Sequence, residues 1–245
     1  MNRRSVLRAG AGLLSGGAAL ALPSAALATT DAPASPTDGW RKTSFTSSWQ
    51  KPWNLDLGDR HSYSGGVDRM WVYATDELFQ EGSSTDPRTE MRWKVDHTTG
   101  DRMWDADVHL PCGTDGASFV QILRSVHPSG TPATDIMLNI YKTNGGTVRR
   151  YDGTVLKTGA YDTWFNVKIA HEARSGTGTV RVYFDDSLVL TVDDRGPATR
   201  YFKNGVYNHG SGRAEARFHN ILTGHGDPLD IRVGGRRKRG DRRAR

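Results

Sequence analysis

Residues along most of this chain alternate with a period of two, and that pattern restricts the fold more than any other feature. In Arg88-Thr-Glu-Met-Arg-Trp-Lys-Val95, one side carries Arg88, Glu90, Arg92 and Lys94, and the other Thr89, Met91, Trp93 and Val95. Such alternation marks a strand with one face turned to a core. Ser118–His127 sets Phe119, Gln121, Leu123, Ser125 and His127 opposite Val120, Ile122 and Val126. Strands are also predicted over Asp135–Tyr141, Trp164–His171, Val180–Phe184, Leu188–Val192, Tyr201–His209 and Arg213–Leu222. Asp185-Asp186-Ser187 reads as a hairpin turn, and clusters of Gly and Pro separate the other strands. Helical periodicity is scarce and no internal repeat is visible. The pattern predicts an all-β chain: a two-sheet sandwich of jelly-roll type, a single domain over residues 39–231.

The two ends differ from this body. Residues 1–28 have a basic start (Arg3, Arg4, Arg8), a short Ala/Leu/Gly-rich stretch and the small-residue sequence Ala26-Leu27-Ala28. This is the build of a secretory signal peptide, and Arg3-Arg4-Ser5-Val6-Leu7 resembles the twin-arginine export type. Residues 29–38 read as a disordered spacer, and residues 232–245 as a basic disordered tail with eight Lys/Arg and one Asp. The chain is therefore expected to be secreted, extracellular and without a membrane partner once the signal is removed. Removing both ends from the +6 total leaves 22 basic against 26 acidic residues, so the basic character belongs to the termini. Nucleic acid is accordingly not an expected partner of the body. Any attraction to a polyanion must come from a local surface or from the tail. One cysteine, Cys112, excludes an internal disulfide framework and a Cys-rich zinc site. The seven tryptophans are scattered, which places most of them in the core.

Three strand faces carry ordered polar residues where a solvated strand would carry arbitrary ones. They are Arg88/Glu90/Arg92, Gln121/Ser125/His127 and Tyr201/Lys203/Tyr207/His209. Side by side on one sheet they form a surface of cations, amides and phenols. Guanidinium forks grip carboxylates bidentately, and rings stack on sugars, so such a surface suits a polymer of carboxylates. Asp185-Asp186 and Asp193-Asp194 are explained by a turn and a strand end rather than by calcium. No phosphate loop, dinucleotide fingerprint or serine-hydrolase elbow is present.

The blocks Arg88-Thr89-Glu90-Met91-Arg92, Gln121-Ile122-Leu123 and Tyr201-Phe-Lys-Asn-Gly-Val-Tyr-Asn-His209 resemble, in order, the three signature blocks of the alginate lyases of polysaccharide lyase family seven. The resemblance implies a concanavalin-like jelly roll over most of Thr43–Leu222. It implies that Arg88 and Gln121 hold the substrate carboxylate, that Glu90 orients the arginines, that Lys203 binds nearby and that Tyr207 is the catalytic phenol. Arg92, Tyr201 and His127 join the expected binding residues, and His209 the catalytic ones. The implied reaction is β-elimination. A base takes the proton beside a uronate carboxylate, and the glycosidic oxygen on the next carbon leaves. Arg88 and Gln121 would stabilise the developing enediolate. A phenol, with a reference pKa of about 10, becomes a usable base near cations. The scheme requires no cofactor and no metal.

Two positions depart from the family pattern. Leu123 stands where the second block places a histidine, and His209 where the third ends in Gln. Either Tyr207 serves as both base and acid, or His127 or His209 supplies the missing function. A second resemblance covers Asp59–Tyr63, Pro87–Arg92, Gln121–Leu123, Tyr161–Phe165 and Tyr201–Tyr207, and is to the plant citrate-binding proteins, which lack the same histidine. It implies that the face holds a small polycarboxylate without cleaving anything. The expected partner is thus an anionic polysaccharide or a small polycarboxylate, and the protein is expected to act as a monomer.

Overall fold

The alternating segments become two antiparallel sheets in a computed structural model that describes Pro36 and residues 38–226. The expected export signal, most of the spacer and the basic tail lie outside the described residues. The first sheet runs in the order β13 (Ser187–Asp193), β12 (Thr179–Phe184), β11 (Trp164–Ala173), β6 (Gly100–His109), β15 (Arg213–Gly226), β4 (Val67–Tyr73) and β3 (His61–Ser64). β1 (Trp40–Lys42) also pairs with β15. The second sheet runs β10 (Val155–Lys157), β9 (Thr147–Arg150), β8 (Thr134–Tyr141), β7 (Ala117–Val126), β14 (Thr199–Asn208), β5 (Arg88–Trp93) and β2 (Ser47–Gln50). Every pairing between named strands is antiparallel, and no α-helix occurs among the described residues. This is the jelly-roll sandwich the alternation predicted.

The inward residues of both sheets form one core. Met70, Trp104, Val108, Ile169 and Phe218 of the first sheet meet Trp93, Ile122, Leu138, Phe202 and Val206 of the second. Each such aliphatic or phenyl side chain contributes roughly 1.5–3 kcal/mol by leaving water. The β12–β13 turn is the predicted one. Asp185 and Asp186 have φ of 48° and 63°, the left-handed pair that matches the twist of a tight hairpin.

Three features differ from the sequence reading. β6, at the centre of the first sheet, was not among the predicted strands because Asp101, Asp105 and Asp107 gave it the composition of a loop. These carboxylates are held by neighbours: Asp101 by Arg174 at 2.7 Å, and Asp105 and Asp107 by Asn166 at 2.9 and 3.0 Å. Phe119 does not share a face with Gln121. The pairing of β7 shifts between Ser118 and Val120, so Phe119 turns into the core and Ser118 joins Gln121 outside. Of the tryptophans, only Trp93 and Trp104 are fully buried, whereas Trp53 and Trp164 are exposed.

A chain of charged side chains also lies between the sheets. His97 precedes β6 and bonds through Nε2 to Nδ1 of His171 on β11 at 2.9 Å. His171 Nε2–H donates to Asp194 at 3.0 Å, Arg200 of β14 reaches Asp194 at 3.1 Å, and Arg200 Nε donates to Asp135 of β8 at 2.5 Å. All five residues are buried. The Val95 carbonyl accepts from His97 Nδ1 at 3.2 Å, which leaves His97 Nε2 for its contact with His171 Nδ1. Burial, followed by the charge of His171, holds His97 down at about 3. Burial pushes the Asp194 carboxyl up, but hydrogen bonds from His171, Gly178 and Gly196 outweigh it and hold it at about 2.

Candidate functional site

β7, β14 and β5 are adjacent in the second sheet, so the three signature blocks lie side by side. Register sets Tyr207 opposite Arg88, Gly205 opposite Glu90 and Lys203 opposite Arg92. On its other edge β14 sets Lys203 opposite Gln121, Tyr201 opposite Leu123 and Tyr207 opposite Ser118. With Phe202, Asn204, Val206 and Asn208 turned inward, Tyr201, Lys203 and Tyr207 point out of the sandwich.

Glu90 organises the centre. Its cross-strand neighbour Gly205 has no side chain, so the carboxylate leans across β14 to the next strand. Gln121 Nε2 donates to one oxygen at 2.5 Å, and the Lys203 ammonium donates to the other. Arg88 stands farther off, 3.6 Å from Glu90. Glu90 thus keeps an ion pair with Arg88 and adds to it a tighter Glu90–Gln121–Lys203 unit, each member only 1 % exposed. Burial lowers the Lys203 pKa, and the Glu90 charge opposes that shift. Arg92 turns the other way, to Asp96 at 2.6 and 2.9 Å.

Each arginine lies over a phenol. Arg88 sits 3.9 Å above the Tyr207 ring, and Arg92 sits 4.0 Å above the Tyr201 ring. Burial raises the Tyr201 pKa, and Arg92 pulls it back. Arg88 Nε is buried without a partner, and the nearest carboxylate, Glu90, stands 3.6 Å from Nη1, so the guanidinium keeps donors to offer an anion.

Tyr207 also packs against His209, with ring centroids 4.0 Å apart. His209 is oriented at both nitrogens, by Asp86 at 2.6 Å and by Ser118 Oγ at 3.2 Å. Ser118 in turn donates to Asn139 at 2.7 Å. Asp86, Ser118 and Asn139 were not singled out from the sequence. Asp86 directly precedes Pro87-Arg88 of the first block, which was a usable signal. Ser118 was hidden by the irregularity at Phe119. His209 does not fill the position of Leu123, because Leu123 faces Tyr201 while His209 lies beyond Tyr207 at the other end of β14. His127 sits past the end of β7, bonded to Pro128 and Thr131 of its own turn, outside the cluster. The cluster thus offers a guanidinium with unspent donors, a phenol touching it and a histidine fixed behind the phenol.

No family model matches the chain. A citrate-binding protein from Hevea brasiliensis is 36 % identical over 195 residues, spanning 77 % of this chain and 78 % of that protein. The chain belongs to the citrate-binding protein family. Its fold is shared with solved alginate lyases. One from polysaccharide lyase family 7 has a TM-score of 0.58 at 21 % identity, covering 74 % of this chain and 94 % of the other. An alginate lyase from Pseudomonas aeruginosa has a TM-score of 0.54 at 20 % identity, covering 68 % and 86 %. A marine alginate lyase of family 7 from Zobellia galactanivorans has a TM-score of 0.55 at 16 % identity, covering 78 % and 96 %. At such identities these neighbours establish the fold of this citrate-binding-family chain and not its activity.

Proposed function

We propose that this member of the citrate-binding protein family is a secreted lyase that cleaves a uronate-containing polysaccharide of alginate or glucuronan type by β-elimination. Its working unit is one lyase-like domain over residues 39–231. The observation that carries the reading is Tyr207, held between the Arg88 guanidinium at 3.9 Å and the Asp86-oriented His209 at 4.0 Å. A surface that only binds carboxylates has no use for a phenol flanked in this way. A uronate carboxylate takes the free donors of Arg88, with Gln121 beside it held in place by Glu90. Arg92 and Tyr201 complete the binding surface, and Lys203 adds its charge from beneath it, where it holds Glu90. Neutralising the carboxylate makes the neighbouring C–H more acidic. The Tyr207 phenolate takes that proton as a carbon–carbon double bond forms and the glycosidic C–O bond breaks. The same phenol then returns the proton to the departing oxygen. One group serves both steps when the proton and leaving group share a ring face, as in mannuronate and glucuronate but not guluronate.

The test is absorbance of the unsaturated uronate with polymannuronate, polyguluronate, glucuronan and hyaluronan. Product is expected from the wild type, and none from Tyr207→Phe, which retains polymer binding. Product undiminished in Tyr207→Phe would remove Tyr207 from the chemistry.

A second reading is favoured by a specific observation: Leu123 stands at the position of the second-block histidine, and the curated relative is a citrate-binding protein. On this reading the Arg88 surface holds a small polycarboxylate unchanged. It requires no unsaturated product from any of the four polymers, and citrate affinity that is lost in Arg88→Ala but indifferent to Tyr207→Phe.

A further inference from the structure

The polar row that contains Tyr207 does not stop at the signature blocks. Register carries it across five strands: Arg88 on β5, Tyr207 on β14, Ser118 on β7, Asn139 on β8 and Arg149 on β9. Four strand spacings of about 4.8 Å separate its ends by about 19 Å along the sheet. The two ends are built alike. Arg88 lies 3.9 Å above the Tyr207 ring, and Arg149 lies 5.2 Å above the ring of Tyr141, its neighbour on β8. In both arginines Nε is buried without a hydrogen-bond partner. Arg149 has only a 3.5 Å contact from Nη2 to Thr143 Oγ1. No carboxylate therefore claims either guanidinium in full.

Between the two cations the row is polar and uncharged. Ser118 donates to Asn139 at 2.7 Å, and Asn139 Nδ2 donates to the Tyr141 hydroxyl at 3.4 Å. Ser118 and Asn139 are buried and spend these groups on one another, so no charge stands between the two cations in this row. Cation, neutral stretch and cation follow one another at a separation that a tricarboxylate with its groups on adjoining carbons cannot span. A chain of uronates, carrying a carboxylate on every ring, can engage both.

We infer that Arg149 and Tyr141 form a distal carboxylate subsite, which makes this face of the sheet a track for several consecutive uronate residues. The inference rests on the reading that Arg88 takes a uronate carboxylate, and adds the second anchor that gives the track its length.

The test measures affinity by calorimetry for oligomannuronates and oligoglucuronates of two to six units. It uses the full chain carrying Tyr207→Phe so that nothing is cleaved. Affinity is expected to rise with chain length in this parent. Arg149→Ala lowers the ratio of hexamer to dimer affinity roughly tenfold, the scale of one charge-assisted contact. Arg149→Lys, which keeps the charge and the stem over Tyr141 but loses the fork, lowers it by less. A ratio unchanged in both variants overturns the distal subsite. If the ratio is unchanged while Arg88→Ala abolishes binding, only the subsite falls. If the parent binds neither series, the reading of the Arg88 surface falls with it.

Discussion

Acid should loosen this fold through His97, and the size of the effect follows from its surroundings. The ring is 4 % exposed, its Nδ1 proton is committed to Val95, and its Nε2 faces Nδ1 of His171. A second proton would have to be buried, and beside the charges of His171, Arg102 and Arg200. The folded state accordingly holds His97 at about 3, whereas the unfolded chain titrates near 6.5. Because the folded value is the lower one, the unfolded chain takes up a proton that the folded chain refuses. Stability is complete above about pH 6.5 and declines as the pH falls toward 3. The whole shift corresponds to about 5 kcal/mol, of which roughly 3 kcal/mol is lost between pH 7.5 and 4.5. Asp194 and Glu215, both held at about 2, stabilise the fold at higher pH and lose most of that contribution only as the pH falls below about 4.5 toward 2. His109, which burial also lowers, acts equally in wild type and variant. Urea unfolding at the two pH values, in wild type and His97→Gln, isolates the effect. The wild type should lose more stability on acidification than the variant, by roughly 3 kcal/mol. Equal losses in the two proteins would refute the argument.

Other outcomes follow from the outward face. Gly205→Ala places a Cβ against the Thr89 carbonyl and 2.6 Å from Glu90 Cα at a φ of 145°, so it should cost at least about 3 kcal/mol in urea unfolding and disturb binding. Glu90→Leu leaves the Lys203 ammonium buried without its partner and should destabilise the fold by roughly 3–5 kcal/mol in the same assay. Adding Lys203→Met should recover part of that loss; no recovery would contradict the pairing. His209→Gln keeps a polar side chain beside Tyr207 but loses the Asp86-oriented ring. It should slow product formation without abolishing it, read from the initial rate at saturating polymer, and a complete loss would make His209 a proton carrier.

The fold was legible wherever apolar residues occupy every second position, as in Thr89, Met91 and Trp93 or Phe202, Val206 and their neighbours. It was illegible at β6, where three aspartates stand in a central strand and find their cations and amides on β11 and the segment after it. The site was legible within each block, because Arg88, Glu90 and Tyr207 lie on single strands whose facing follows from parity. What joins the blocks was not. That Glu90 reaches Gln121 depends on β14 lying between them and on Gly205 leaving space there, a fact of pairing and not of pattern. Ser118 was concealed because one irregular residue, Phe119, inverts the parity on one side of it. The His97–His171–Asp194–Arg200–Asp135 chain joins residues far apart in sequence, and no local signal announces it.

β14 divides its side chains between two tasks, chemistry outward and support inward. Its neighbours differ in how they absorb irregularity: β7 shifts register against it between Asn204 and Tyr207, while β5 stays in step with it from Lys203 to Tyr207. Insertion or deletion of one residue on the Arg200–Lys203 side would exchange the two sets, driving Arg200 toward solvent and Tyr201 into the core. At the Gly205–Val206 step the pairing with β7 is already offset, while the β5 edge there is regular. The ladder with β7 thus absorbs its irregularity at two points, between Thr199 and Arg200 and between Asn204 and Tyr207, and the second lies between the cation that anchors Glu90 and the phenol that faces Arg88.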